Sequence, residues 1–88
     1  MLQTKPLQTG KLVGAIYDFP EVGDVLPMHT HNEADVHISV VAKGSFRAHG
    51  KGWERVVSAG DVLDWRANDP HEFISLEANS RLVNIVKG

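Results

Sequence analysis

The sequence predicts an all-β protein, a small antiparallel barrel or sandwich of about eight short strands. No window shows the sustained i, i+3, i+4, i+7 apolar spacing of an amphipathic helix. Glycine or proline interrupts the chain at short intervals, and turn residues recur about every 8–12 residues. Between the turns, apolar and polar residues alternate, most clearly over residues 36–42. Such alternation is typical of strands that bury one face.

The individual elements follow from these turn signals. Residues 1–10 are polar and contain proline and glycine, so we expect an arm that precedes a single barrel domain over residues 11–88. Pro27 falls inside an expected strand, where proline is tolerated only at a sheet edge or a bulge. His49 lies in a glycine-rich connection, and we expect its side chain to be solvated. The expected strands cover residues 11–19, 25–31, 36–42, 45–48, 53–58, 62–65, 71–77 and 81–87.

Composition excludes several classes of function. A chain of 88 residues makes one domain. Its net charge of −2 provides no basic surface for nucleic acid and no polybasic patch for a membrane. The absence of cysteine excludes disulfides, thiolate metal sites and cysteine nucleophiles. No apolar run approaches the roughly 20 residues of a membrane-spanning helix, and the first residues lack the apolar region of a signal peptide. We therefore expect a cytoplasmic protein.

Three of the five histidines lie in one stretch, between Gly23 and Gly44. His29 and His31 are two residues apart, which puts both imidazoles on one face of a strand. His37 follows at the same parity and begins the clearest alternating run. Imidazoles that converge on one interior point predict a metal site. Ser39 shares the face of His37, so we expect it near the same pocket.

A second stretch begins at Gly60 and ends in His71, with Phe73 on the same face as that histidine. Together, the two stretches resemble the paired motifs of the cupin superfamily. The resemblance implies a double-stranded β-helix, or jelly-roll, barrel and a small single-domain cupin with a four-histidine motif. The residues on which the resemblance rests are Gly23, His29, His31 and Gly44 in the first motif and Gly60 and His71 in the second.

The resemblance also implies the ligands of a divalent transition metal, which could be Fe, Ni, Zn, Cu, Co or Mn. His37 stands where these proteins usually have a glutamate, and Asp35 or Glu33 remains an alternative to it. Four neutral imidazoles would leave the full charge of the ion uncancelled, which favours an anionic ligand such as an enolate, a carboxylate or superoxide. The implied ligands are His29, His31, His37 and His71.

Other residues are candidates for the surroundings of the metal. Arg66 would place a cation near the barrel mouth, where it could meet an anionic substrate. Phe46 and Phe73 either pack in the core or stack on a substrate. We expect Trp53 and Trp65 to be packing or subunit-interface residues.

Two functions are compatible with this pattern. The first is a metal-dependent enzyme, of the dioxygenase type, that acts on a small anionic or enolisable organic substrate. The second is a non-catalytic module that binds a metal or a small ligand for sensing, storage or structure. Because a barrel this small has exposed strand edges that pairing would cover, we also expect a homodimer.

Overall fold

The structure, a computed structural model, describes residues 1–10, 12–29, 36–66 and 69–87, with the backbone alone for His29, Val36 and Lys87. Within these ranges the chain forms nine β-strands and no helix, and therefore no helix that could cross a membrane. The strands are β1 (Gln3–Thr9), β2 (Leu12–Phe19), β3 (Val25–His29), β4 (Val36–Lys43), β5 (Ser45–Gly50), β6 (Trp53–Ser58), β7 (Val62–Asp64), β8 (His71–Ser75) and β9 (Ser80–Lys87).

The strands form two antiparallel sheets, in the orders β1-β2-β9-β4-β7 and β3-β8-β5-β6. Neighbours in each sheet are mostly distant in sequence, as expected when a chain winds back and forth between two sheets of a jelly-roll barrel. The predicted all-β fold is confirmed, and eight of the strands begin within one residue of their predicted starts.

The N-terminal segment differs from the expected arm. Residues Gln3–Thr9 form β1, which lies at the edge of the five-stranded sheet and pairs along its whole length with β2. Most side chains of β1 are exposed, so neither face carries the apolar alternation from which a strand is recognised. Main-chain hydrogen bonds to β2, rather than a buried face, hold this segment in place.

The core is built by the inward-facing positions of both sheets. Phe19, Phe46, Phe73 and Leu82 are completely buried. The ring of Phe46 packs edge-on against Phe19, with centroids 4.7 Å apart, and against Phe73 at 5.9 Å. Such edge-to-face pairs contribute about 0.5–1.5 kcal/mol each beyond the area that they bury. Phe46 and Phe73 are therefore core residues.

Two local features follow from the backbone. Gly44 turns β4 into β5 at a φ of 80°, and a side chain there would collide with Ser80, so only glycine fits. Pro27 lies in β3, an edge strand whose register with β8 shifts between Leu26 and His29. The prediction that this proline occupies an edge or a bulge is confirmed.

Candidate metal centre

His71 is the first residue of β8 and its side chain is fully buried. Its Nδ1 lies 2.8 Å from the carbonyl oxygen of Asp69. A carbonyl can only accept, so Nδ1 carries the proton and Nε2 carries the lone pair. This is the tautomer that metal-binding histidines adopt when a backbone carbonyl orients the ring.

His37 approaches His71 from the other sheet. It lies in β4 and is 4% exposed, and the two imidazole centroids are 5.2 Å apart with the rings tilted by 50°. Two imidazoles that bind one ion through nitrogen at about 2.0–2.1 Å have centroids about 4.6–5.3 Å apart at coordination angles near 90–110°. The pair is therefore compatible with a shared ion, and imidazole nitrogen suits the transition metals expected from the sequence.

The remaining predicted ligands are only partly within the described chain. The backbone of His29 pairs directly opposite His71, because the bulge after Leu26 inserts one extra residue into β3. His31, Glu33 and Asp35 lie outside the described residues. Among the residues that are described, no three histidine, aspartate or glutamate side chains form a metal-binding group. The complete ligand set, and the choice between His37 and a carboxylate, stay predictions.

Trp65 packs directly on this histidine pair. Its indole stacks on the His71 ring, with centroids 3.9 Å apart and planes 10° from parallel. Its backbone amide donates to the carbonyl of His37 at 2.9 Å. The expectation of a packing role is correct, but the sequence did not indicate that the partner of Trp65 would be a candidate ligand. Trp53 lies behind it at 5.6 Å, against Gly50, where a side chain would displace the Trp53 indole.

A buried polar chain runs from Trp65 into the five-stranded sheet. The indole Nε1 donates to Ser39 Oγ at 2.9 Å, and Ser39 Oγ donates to Asn84 Oδ1 at 2.6 Å. Asn84 in turn hydrogen-bonds the phenol of Tyr17. Ser39, predicted near the pocket, lies at the centre of this chain. Asn84 and Tyr17 were not predicted, although a polar residue at an inward position of β9, between Leu82 and Val86, was a usable signal.

His49 is not the solvated residue that its glycine-rich surroundings suggested. It lies in β5 and is 29% exposed, and its Nε2 is 2.8 Å from the carboxylate of Glu72. The other oxygen of Glu72 accepts the backbone amide of Met28 at 3.2 Å. The Glu72 carboxylate therefore links β5, β8 and β3. It lies next to His71 in sequence and holds the backbone of the edge strand β3 just before His29.

Cavities lie at both ends of the barrel. One of about 560 Å³ is polar and is lined by residues around the Asp18–Arg81 ion pair, far from the histidines in register. Another of about 330 Å³ is lined by Val13, Gly14, Ala15, Tyr17, Asn84 and Val86. Val86 is the pairing partner of His37, so one wall of this smaller cavity lies one strand away from the candidate centre. Arg66, predicted at the barrel mouth, is exposed and lines neither cavity.

Solved structures share this architecture. KdgF from Halomonas sp. superposes with a TM-score of 0.84 at 25% identity, over 98% of this chain and 79% of that protein. A Cupin 2 conserved barrel domain protein from Salinispora arenicola gives a TM-score of 0.83 at 17% identity, over 99% and 76%. A predicted oxalate decarboxylase from Thermotoga maritima also gives 0.83 at 17% identity, over 98% and 79%.

Sequence comparison gives less similarity than structure comparison does. No family model matches the chain. Acireductone dioxygenase from Alcanivorax borkumensis is 36% identical in an alignment of 72 residues that covers 75% of this chain. The chain spans about 40% of the length of that relative.

The fold and its neighbours define the class. With two antiparallel sheets in this order, and solved cupin structures that superpose over nearly its whole length, the chain has the fold of a small cupin barrel.

Proposed function

We propose that this cupin domain binds a divalent transition metal through histidines at one end of the barrel and uses it on a small anionic or enolisable organic substrate, with dioxygenase-type chemistry. The observation that carries the proposal is the meeting of His37 and His71. They come from opposite sheets, both are buried, and their rings lie 5.2 Å apart. The similarity to acireductone dioxygenase supports the reaction type.

The chain's own residues prepare the site in three ways. The carbonyl of Asp69 holds the proton on Nδ1 of His71 and leaves Nε2 with its lone pair. The Trp65 indole fixes the orientation of the same ring by stacking on it. The buried Phe73 ring packs edge-on against His71, with centroids 6.3 Å apart. A bound transition metal would supply a Lewis acid for a substrate oxygen and a centre for reaction with dioxygen.

Metal analysis of protein purified without chelator tests the proposal. We expect a stoichiometric transition metal in the wild type and its loss in His37→Gln and His71→Gln. The matched control is His49→Gln, which removes a histidine that bonds Glu72 instead of the centre and should keep the metal. Loss in His71→Gln with full retention in His37→Gln would assign the third ligand to Asp35 or Glu33. Retention in both variants would refute the site.

Tryptophan fluorescence gives an independent reading of the same site. Trp53→Phe leaves Trp65 as the sole tryptophan, since the chain has two. Because Trp65 stacks on His71, Cu²⁺ or Co²⁺ bound there should quench most of its emission. The double variant Trp53→Phe/His71→Gln should show no saturable quenching. Equal quenching in both proteins would mean that the ion binds elsewhere.

The second candidate is a non-catalytic module that binds metal or a small ligand. Short connections favour it: the described turns, such as Lys51–Gly52 and the one at Gly44, provide no lid over the barrel. Oxygen uptake with β-diketones, flavonols and thiols separates the two candidates. Uptake that requires both metal and His71 supports the enzyme, whereas tight metal binding without uptake supports the module.

We propose a homodimer as well, formed through the outer face of the five-stranded sheet. One rung of that face aligns Ile16, Val83, Val40 and Val62 across four strands. All four are apolar and solvent-accessible, and Val62 is 57% exposed. Such a stripe is typical of an interface. Sedimentation should give a dimer that Val62→Lys weakens, and a wild-type monomer at micromolar concentration would refute it.

A further inference from the structure

The cavity next to His37 has apolar walls and one polar corner. Val13, Ala15 and Val86 line it with short aliphatic side chains, while Tyr17 and Asn84 bring polar groups to it. Its volume of about 330 Å³ lies at the lower end of the range of small-ligand sites, about 300–1,000 Å³. The cavity therefore fits a small molecule that has an aliphatic part and at least one oxygen.

The hydrogen bonds behind this polar corner all run in one direction, from Trp65 through Ser39 and Asn84 to Tyr17. An indole nitrogen can only donate, so Trp65 forces the oxygen of Ser39 to accept. The one proton of Ser39 then goes to Asn84 Oδ1. With its oxygen engaged, Asn84 turns its amide nitrogen toward Tyr17 and donates to the phenol oxygen. The phenol proton of Tyr17 is the last in this series, and Tyr17 lines the cavity.

The direction of these hydrogen bonds also affects how strongly the Tyr17 hydroxyl can donate. Each donor in a hydrogen-bonded series strengthens the next, so a phenol that accepts from Asn84 is a better donor than an isolated one. Burial raises the pKa of Tyr17 above its usual value, and the Asn84 hydrogen bond opposes this only in part. The hydroxyl therefore keeps its proton at neutral pH.

We propose that the Tyr17 hydroxyl donates a hydrogen bond to an oxygen of the ligand in this cavity, and that the ligand is a small enolate or keto-enol with a short aliphatic substituent. This inference rests on the proposed function for the ligand class. The register places Val86 between Val13 and His37, so a ligand held by Tyr17 lies along the wall that leads to the candidate metal. An anionic oxygen makes the strongest use of such a donor, because hydrogen bonds to charged groups contribute about 1.5–3 kcal/mol.

Calorimetric titration with acetylacetone, a small enolisable diketone, tests the inference. Tyr17→Phe removes only the hydroxyl, and we expect its affinity for the probe to fall about 10- to 100-fold with metal content unchanged. The matched control is Thr4→Val, which removes a hydroxyl from the position that pairs with Tyr17 on the edge strand and should bind as the wild type does. Equal affinity of Tyr17→Phe and wild type would overturn the assignment, as would failure of the wild type to bind the probe at millimolar concentration.

Ser39→Ala tests the direction of the chain. Without Ser39, Asn84 can present its oxygen to Tyr17 and take the phenol proton away from the ligand. We expect weaker binding of acetylacetone and no further loss when Ser39→Ala is combined with Tyr17→Phe, because both act through one hydrogen bond. Additive losses would overturn the role assigned to the chain.

The same titrations after EDTA treatment separate this inference from the proposed function. The Tyr17 hydrogen bond does not pass through the metal, so Tyr17→Phe should weaken the probe relative to the wild type in either state. A wild type that contains no metal as purified without chelator and takes up none, but binds the probe with a Tyr17-dependent affinity, would refute the metal site and support the cavity. A metal-loaded protein in which Tyr17→Phe has no effect would do the reverse.

Discussion

The two ends of the barrel interior differ in composition. At one end, Phe19, Phe46 and Leu82 pack together. The buried serines Ser75 and Ser80 pair opposite Phe46 and Phe19, and their hydroxyls donate to backbone carbonyls. At the other, His37, His71, Ser39 and Asn84 are at most 4% exposed. Apolar burial contributes favourably in proportion to area, whereas buried polar groups cost free energy unless they are bonded. The first end can therefore stabilise the fold, and the second requires organised partners.

The polar end obtains those partners from groups that also orient one another. Asp69 fixes the proton of His71, and Trp65 both stacks on that ring and anchors Ser39. These buried polar groups support the site proposed above. We therefore propose that stability and function are separated along the barrel axis, so that each end can be perturbed separately.

The largest effect is expected at the apolar end. Phe46→Ala leaves a cavity among Phe19 and Phe73 and should lower the free energy of unfolding by about 3–5 kcal/mol, which approaches the whole stability of a small domain. Urea denaturation measures it. Val56→Ala, at a position 63% exposed, is the control and should change stability by less than about 0.5 kcal/mol.

Phe46→Leu provides the milder form of the same test. It should fold at reduced stability and still bind metal stoichiometrically, because Phe46 belongs to the apolar end. If it lost metal while remaining folded, the two ends would be coupled and the separation would be wrong.

The next effect concerns the polar end. If the histidines hold a metal, saturation at about 100 times the dissociation constant should stabilise the wild type by about 2.7 kcal/mol. EDTA should remove this increment, and thermal denaturation with and without chelator measures it. His71→Gln should show the same midpoint in both conditions. A wild type that is insensitive to metal and chelator would contradict the proposal that this end holds an ion.

The smallest effect is expected at the surface of the apolar end, where Arg81 donates to both carboxylate oxygens of Asp18. The Arg81 hydrogen bond holds the pKa of Asp18 below its usual value. A carboxyl with a lowered folded-state pKa stabilises the protein above its unfolded pKa, and this contribution disappears as the pH falls through the folded value. The Asp18 and Arg81 side chains are 32% and 42% exposed, so solvent screening limits the contribution to about 1 kcal/mol or less.

Asp18→Asn tests this pair. The variant should be slightly less stable than the wild type at pH 7, and the difference should shrink as the pH falls below the unfolded pKa of Asp18 and disappear below its lowered folded-state pKa. Denaturation at several pH values, repeated in high salt, measures it. A difference that persists unchanged at pH 2 would show that the carboxylate charge is not its cause.

Much of the fold was predictable because it depends on local signals. Alternation and turn residues located eight strands, and the edge or bulge position of Pro27 was expected from the missing amide alone. The edge strand β1 was missed because its side chains are exposed on both faces, which leaves no periodic pattern. His49 was misjudged because its partner, Glu72, is distant in sequence and adjacent only through the pairing of β5 with β8.

By itself, the sequence determined the class of fold and the histidines that could meet, because strand parity and turn spacing are properties of neighbouring residues. Only the tertiary structure decided which side chains surround those histidines. The stacking of Trp65 on His71 and the hydrogen bonds from Ser39 through Asn84 to Tyr17 join the residue after β7 to strands β8, β4, β9 and β2. Such contacts depend on sheet order and register, and no local pattern encodes them.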